Sequence, residues 1–339
     1  MSQNNATHNA TFTIPSSEQL PLLNIVFGLI GILGLLGNLL VCVVFLRVRH
    51  LRTLTNILIV HQAIIDLTSS AIAVLAYLGP QFNYTSNSIG GEIICRVWKS
   101  GYLFWSTSFV SSTNLVVITL ERYSAIIHPL HHTNLFTVKR VIVILITEWL
   151  CALAFKSFNI YVQYFDRGLC FPIKIWFNAE FGRFVGITNV IAQFIVPLLV
   201  MSVAYTRCIM ALRKKSGADV QVGDHEQDSQ LKADSSLKRA SRNVLKMLVM
   251  VFVAFALCWG PNQIMFLSFC LGFKLDFGST LYHASVISVY VNSSVNPFIY
   301  ALKYKQFQNG VRLIFGCKNI NAVENSGSTR VNGPYSQQQ

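Results

Sequence analysis

Seven stretches of this chain stay apolar over the length a helix needs to cross a bilayer, about 20 residues at 1.5 Å each. They run near 22–46, 55–79, 96–126, 137–160, 184–212, 240–268 and 279–302. Backbone polar groups find no water in hydrocarbon, so only helices or closed barrels can cross it. Barrel strands alternate apolar and polar residues, whereas these runs are continuous, which leaves an all-α seven-transmembrane helix bundle. The charged fraction agrees: 12% of the residues are charged, against about 25% in soluble domains. The first twenty residues are polar, and the first apolar run is longer than a signal-peptide core, so it is expected to remain as the first span.

Basic residues set the orientation. With the N-terminus outside, the inner segments hold 20 of the 27 Lys and Arg. These are Arg47, Arg49 and Arg52, then Arg122, Lys139 and Arg140, then nine from Arg207 to Lys246 and five from Lys303 to Arg330. The positive-inside rule therefore puts the N-terminus outside, at a plasma membrane, and removes nucleic acid as the reason for the net charge of +13. Sequons at Asn5, Asn9 and Asn83 fall in segments expected to be outside and are candidate glycosylation sites. A fourth, at Asn292, lies within the seventh span, beyond reach of glycosylation.

The chain divides into an outer tail (1–21), a membrane domain (22–317) and a polar cytoplasmic tail (318–339). The loop from 213 to 238 and the tail have too few apolar residues to fold alone and are expected to be disordered. A basic amphipathic stretch from Lys303 to Cys317 should lie along the inner leaflet, with Cys317 placed for S-palmitoylation. Other cysteines, such as Cys42, Cys151, Cys208 and Cys258, sit inside apolar runs as small hydrophobes.

Polar groups inside a span are costly and need a reason. Span one carries Asn38, span two Asp66, span three Ser111 and Asn114, and span seven Asn292, Ser293 and Asn296. Asp66 is read as having no Lys or Arg in any span to pair with. A carboxylate among hydroxyls and amides offers hard oxygens for sodium, with Asp66, Ser111, Asn292, Ser293 and Asn296 as the candidate ligands. The alternative is that these groups only hydrogen-bond the helices together. Pro197, Pro261 and Pro297 interrupt spans five, six and seven, either as structural bends or as hinges.

The motifs around these residues come one per span: Gly37-Asn38, Asp66, Glu121-Arg122-Tyr123 followed by His128-Pro129-Leu130, Trp149, and Pro197 with Tyr205. Cys258-Trp259-Gly260-Pro261 and Asn296-Pro297-Phe298-Ile299-Tyr300 complete the series. Together they resemble the rhodopsin-like G-protein-coupled receptors over residues 22–317, most of all the neuropeptide-receptor branch. The resemblance implies a receptor, not an enzyme, that activates a heterotrimeric G protein by outward movement of helix six, with arrestin and receptor kinases as further partners. It implies that Glu121 neutralises Arg122 at rest and that the released Arg122, with the exposed Leu130, meets the G protein. Tyr205 and Tyr300 would bridge the open state, and Trp259, one turn above Phe255, would couple ligand to helix motion. Cys95 and Cys170 would form the disulfide of the family. Departures are also visible. Two extra residues between Cys95 and Arg122 point to a bulge in outer span three. Ser112 replaces an apolar packing residue, and Ser241 stands where some members place an acid that clamps Arg122.

Retinal attachment needs a lysine where Tyr290 stands, and an amine receptor needs an acid in outer span three, which has none. There remains a cavity lined by Phe104, Trp105, Thr107, Ser108, Asn262, Gln263, Phe266, His283 and Tyr290, suited to a peptide end or a small non-amine molecule. A polytopic transporter or channel is the competing reading. It would show broken segments in paired halves, which are absent. A membrane enzyme would need a metal cluster or a nucleophile–base set, and the histidines are scattered.

Overall fold

A computed structural model describes residues 10–11, 19–51, 53–80, 89–161, 163–166, 169–172, 179–218 and 228–316. Seven long helices form the body: α1 (Gln19–Arg47), α2 (Leu54–Tyr77), α3 (Tyr102–Ile127), α4 (Val138–Lys156), α5 (Val196–Ala218), α6 (Asp228–Cys270) and α7 (Thr280–Lys303). A shorter α8 (Lys305–Ile314) follows. Three of these helices begin at a hydroxyl that satisfies an otherwise orphaned amide: Thr53 accepts from Asn56 N, Thr137 from Arg140 N and Ser279 from Tyr282 N.

Six of the spans are long and apolar enough to cross a membrane; α7 falls short in apolar character because it carries His283, Asn292, Ser293, Ser294 and Asn296. Those side chains face inward, and lipid-facing positions such as Leu36, Leu150, Leu199 and Leu257 remain exposed. The core runs through the bundle as one cluster that includes Phe27, Phe104, Phe255, Trp259, Tyr290 and Tyr300. Helix α3 lies in the middle and touches α2, α4, α5 and α6. Helix α4 sits at the edge, and its buried seam is Val141, Glu148, Ala152 and Lys156, at helical spacing.

The prolines shape the bundle through the hydrogen bonds they cannot make. Pro297 has no N–H to give Ser293 O, and Asn38 Nδ2 of α1 donates to that carbonyl at 2.8 Å. Gly37 permits this approach, since a Cβ there would already stand 3.0 Å from the Pro297 ring. Beside Pro261, Ser288 Oγ of α7 donates to Cys258 O at 2.7 Å. Before Pro197 the backbone widens into a π turn, Ile191–Ile195, which joins the helix Ala179–Val190 to α5.

The two extra residues of outer span three are absorbed in the same way. A short helix, Ile89–Ile93, passes into a π turn, Ile94–Lys99, and α3 starts after Gly101, whose φ of 72° suits glycine. Cys95 in that turn is bonded to Cys170, with Cα atoms 5.6 Å apart. The bond ties the turn to an antiparallel pair of strands, Gln163–Asp166 and Leu169–Pro172. At the same end of the bundle Ala10–Thr11 runs parallel to Leu275–Asp276.

One expectation is corrected. The loop from 213 to 238 is helical at both ends, because α5 runs to Ala218 and α6 begins at Asp228. Extending an existing helix costs far less than nucleating one, and Leu231, Lys232, Ala233, Leu237 and Lys238 are good helix formers. The amphipathic stretch after α7 does form a helix, with Phe307 and Gly310 buried and Phe307 6.4 Å from the Tyr300 ring. Cys317, Arg52, the sequon residues Asn5, Asn9 and Asn83, and the tail 318–339 lie outside the described residues.

Candidate functional site

At the outer end of the bundle an opening of about 220 Å³ is lined by Phe104, Trp105, His283 and Tyr290, joined by Phe27 and Tyr282. Its walls are stacked rings: Phe104 lies on Tyr290 at 4.0 Å and 11°, and Trp105 meets Phe104 edge-on at 5.3 Å. The six side chains named here include no carboxylate. The remaining expected lining residues lie elsewhere. Thr107 is buried, donating to Phe104 O and accepting from Ser69, and the buried Ser108 receives Ser112 Oγ on its carbonyl. Asn262 bonds Ser285, Gln263 bonds Asn262, and Phe266 packs on Phe269. Four of the nine thus share this cavity.

Rings continue inward from it. Trp105 is 6.5 Å from Trp259, Trp259 is 6.2 Å from Phe255, and Phe255 is 5.9 Å from Phe194. Ser112 satisfies its hydroxyl on the carbonyls of Ser108 and Phe109, so it behaves as a small apolar neighbour.

Below the rings a polar network crosses four helices. Asp66 is fully buried and accepts from Asn296 Nδ2 at 2.7 Å, from Gln62 Nε2 at 3.1 and 3.2 Å, and from Ser111 at 3.4 Å. Gln62 Oε1 in turn takes Asn114 Nδ2, Asn114 Oδ1 pairs with His61, and Trp149 donates to His61 Nε2. Asn292 and Ser293 are also buried, but among the described residues neither hydrogen-bonds Asp66; Ser293 engages Asn38 through its carbonyl. Sequence reasoning missed Gln62, although its position one turn before Asp66 on α2 is the signal for such a pair.

The inner end holds a clamp. Glu121 is completely buried and receives Arg122 Nε and Nη2, each at 2.5 Å. Thr55 of α2 hydrogen-bonds both residues, and His132, on the short helix Pro129–Leu135, pairs with Glu121 at 3.0 Å. Arg122 is thus held by Thr55 as well as by Glu121. None of the Arg122 hydrogen bonds reaches α6, so Ser241 takes no part. Tyr205 accepts from Thr119 at 2.7 Å, and the buried Tyr300 ring lies 6.4 Å from that of Phe307. Tyr123 is partly buried, 6.0 Å from His128, and Leu130 is 85% exposed.

A second correction concerns buried cations. Contrary to the expectation that the spans hold no Lys or Arg for Asp66, Lys156 is buried inside α4; it bonds Asn189 and Gln193 and does not pair with Asp66.

The family model described as 7 transmembrane receptor (rhodopsin family) matches residues 37–300. Galanin receptor 2a of Danio rerio is 28% identical over 310 residues, covering 90% of this chain and 80% of that one. The allatostatin-A receptor of Bombyx mori is 28% identical over 306 residues, covering 86% and 79%. Among solved structures, squid rhodopsin superposes with a TM-score of 0.74 at 18% identity, over 96% of this chain and 95% of the other.

Proposed function

This chain belongs to the rhodopsin family of seven-transmembrane receptors, and from that premise we propose that it binds an extracellular peptide and activates a heterotrimeric G protein. The observation that carries the ligand class is the outer opening with its stacked aromatic walls and a few polar groups such as Lys99 and His283, a surface that takes up peptide side chains and backbone. Relatives named for galanin and allatostatin-A support the same class. A small non-amine ligand is the second reading, favoured by the modest volume of the opening.

The ring series from Trp105 through Trp259 to Phe255 gives a ligand a packed route to α6, which Pro261 allows to bend. Outward movement of α6 frees space beside Arg122 for a G-protein helix, with the exposed Leu130 as a neighbouring contact. Arrestin and receptor kinases would meet the same inner face. Support for an outer N-terminus at the plasma membrane comes from the 20 basic residues on inner segments and from the pairing of residues 10–11 with the loop after α6.

Sodium fits the middle of the bundle. Asp66 is a buried carboxylate with no Lys or Arg within 4.0 Å among the described residues, and with Ser111 it offers hard oxygens. Asn296 bonds Asp66 at 2.7 Å, and Asn292 and Ser293 are proposed as the remaining ligands. A cation there would favour the resting arrangement. Screening a peptide library on cells that express the chain, with calcium and cyclic-AMP readouts, tests the reading. Peptide-dependent signals absent from untransfected cells are expected, and silence across the library with confirmed surface expression contradicts a peptide ligand.

A further inference from the structure

Lys156 ends α4 as the last member of its buried seam and is 1% exposed. Its Nζ donates to Asn189 Oδ1 and Gln193 Oε1, and the rings of Phe109, Phe155 and Phe158 stand 5.3, 5.6 and 6.0 Å away. Amide oxygens and ring faces stabilise an ammonium without neutralising it. Among the described residues no carboxylate lies within 4.0 Å of this nitrogen. Gln193 is fully buried too, and among the described residues its Nε2 has no hydrogen-bond partner. Nε2 belongs to the same amide that already touches Lys156, so the two donors are neighbours. A cation lacking a counter-ion and an N–H lacking an acceptor stand together, and one carboxylate would satisfy both.

We propose that Lys156, Asn189 and Gln193 form an anion-recognition site for a carboxylate of the activating ligand. The inference rests on the receptor reading above and names a chemical feature of its ligand. Gln193 lies in the π turn before Pro197, the kind of local widening that recurs at functional sites. It also precedes Phe194, whose ring is 5.9 Å from Phe255. A carboxylate held by Gln193 therefore acts on the turn that carries a packing partner of α6. Entry requires the Lys156 side chain, a flexible four-carbon stem, to swing from its present seat.

The test uses the purified full-length receptor and sodium benzoate, an aromatic carboxylate matched to a cation among phenyl rings. Thermal unfolding is followed with benzoate, with neutral benzamide and with sodium chloride at equal sodium. At ten times its Kd, benzoate should raise Tm by about 2 °C, and benzamide should not. The rise should vanish in Lys156→Met, which keeps the apolar stem, persist in Lys156→Arg and weaken in Gln193→Leu. No shift in the wild type, or an equal shift in Lys156→Met, overturns the site. If Lys156→Met does not fold, an undiminished shift in Gln193→Leu overturns it instead. A signalling arm separates this proposal from the receptor reading. For any peptide that activates the wild type, Lys156→Met should cut potency at least tenfold. Amidating the C-terminus, or changing Asp and Glu to Asn and Gln, then identifies which carboxylate is bound. Unchanged potency refutes the anion site and leaves the receptor reading standing, whereas the benzoate arm needs no peptide response at all.

Discussion

Replacing Glu121 by Gln removes the charge at the centre of the inner clamp while keeping its shape. The carboxylate is completely buried and takes two Arg122 donors at 2.5 Å, the Thr55 hydroxyl at 3.2 Å and His132 at 3.0 Å. A hydrogen bond to a charged group contributes about 1.5–3 kcal/mol, and breaking a fully buried pair costs more. The Arg122 side chain is 21% exposed, so water screens it in part and the low end, about 1.5 kcal/mol, is the appropriate figure. That loss falls on the resting state alone if Arg122 leaves Glu121 on opening. Each 1.4 kcal/mol is a factor of ten, so an active population of about 1% would rise to about 10%. Binding of GTPγS to membranes without ligand, at matched surface expression, measures it. Ser241→Glu should act in the opposite direction by adding a clamp from α6, though modestly, because Thr55 and His132 already support Glu121. Unchanged basal exchange in Glu121→Gln would refute the clamp and leave packing around Trp259 and Phe255 in control.

Three other outcomes are expected. Cys95→Ala or Cys170→Ala should lower surface expression or ligand binding, since losing a native disulfide typically costs about 2–5 kcal/mol; normal values in both variants would show that the bond is dispensable. Raising sodium at constant ionic strength should weaken agonist binding, and Asp66→Asn should remove that dependence; a sodium effect that survives in the variant places the ion elsewhere. Asn38→Ala strands the Ser293 carbonyl and should cost about 1–3 kcal/mol of stability, read as a lower Tm, but much less in a Pro297→Ala background that restores the missing N–H; equal costs in both backgrounds would contradict this pairing.

The fold was legible because lipid imposes a simple code, and six spans read directly from apolar length. The seventh was the weakest, since its inward face carries amides and hydroxyls. Asp66, Ser111 and Asn296 were legible as a group because an ionisable residue in a span needs company. The extra residues before α3 pointed to a bulge, and the π turn with Gly101 is its form. What escaped were partners set by tertiary proximity. His132 reaches Glu121 across eleven positions, and Thr55 reaches it from another helix. Lys156 escaped for a different reason: counted with outer basic residues, it was not weighed as an ionisable group inside span four. The lining residues were overcounted because Asn262, Gln263 and Thr107 use their polar groups on neighbours.

Ligand at the outer cavity is expected to release Arg122 to a G protein, and nucleotide exchange reads out that step. The purified chain in lipid nanodiscs would be combined with heterotrimeric G proteins of each class and with a peptide active in the cellular screen. GTPγS uptake by at least one class should rise with peptide for the wild type, should be lost in Arg122→Ala, and should survive in Arg140→Ala, whose guanidinium bonds Asn134 O on the surface. Exchange that proceeds equally in Arg122→Ala, or that no peptide and no G protein produces, would contradict the account.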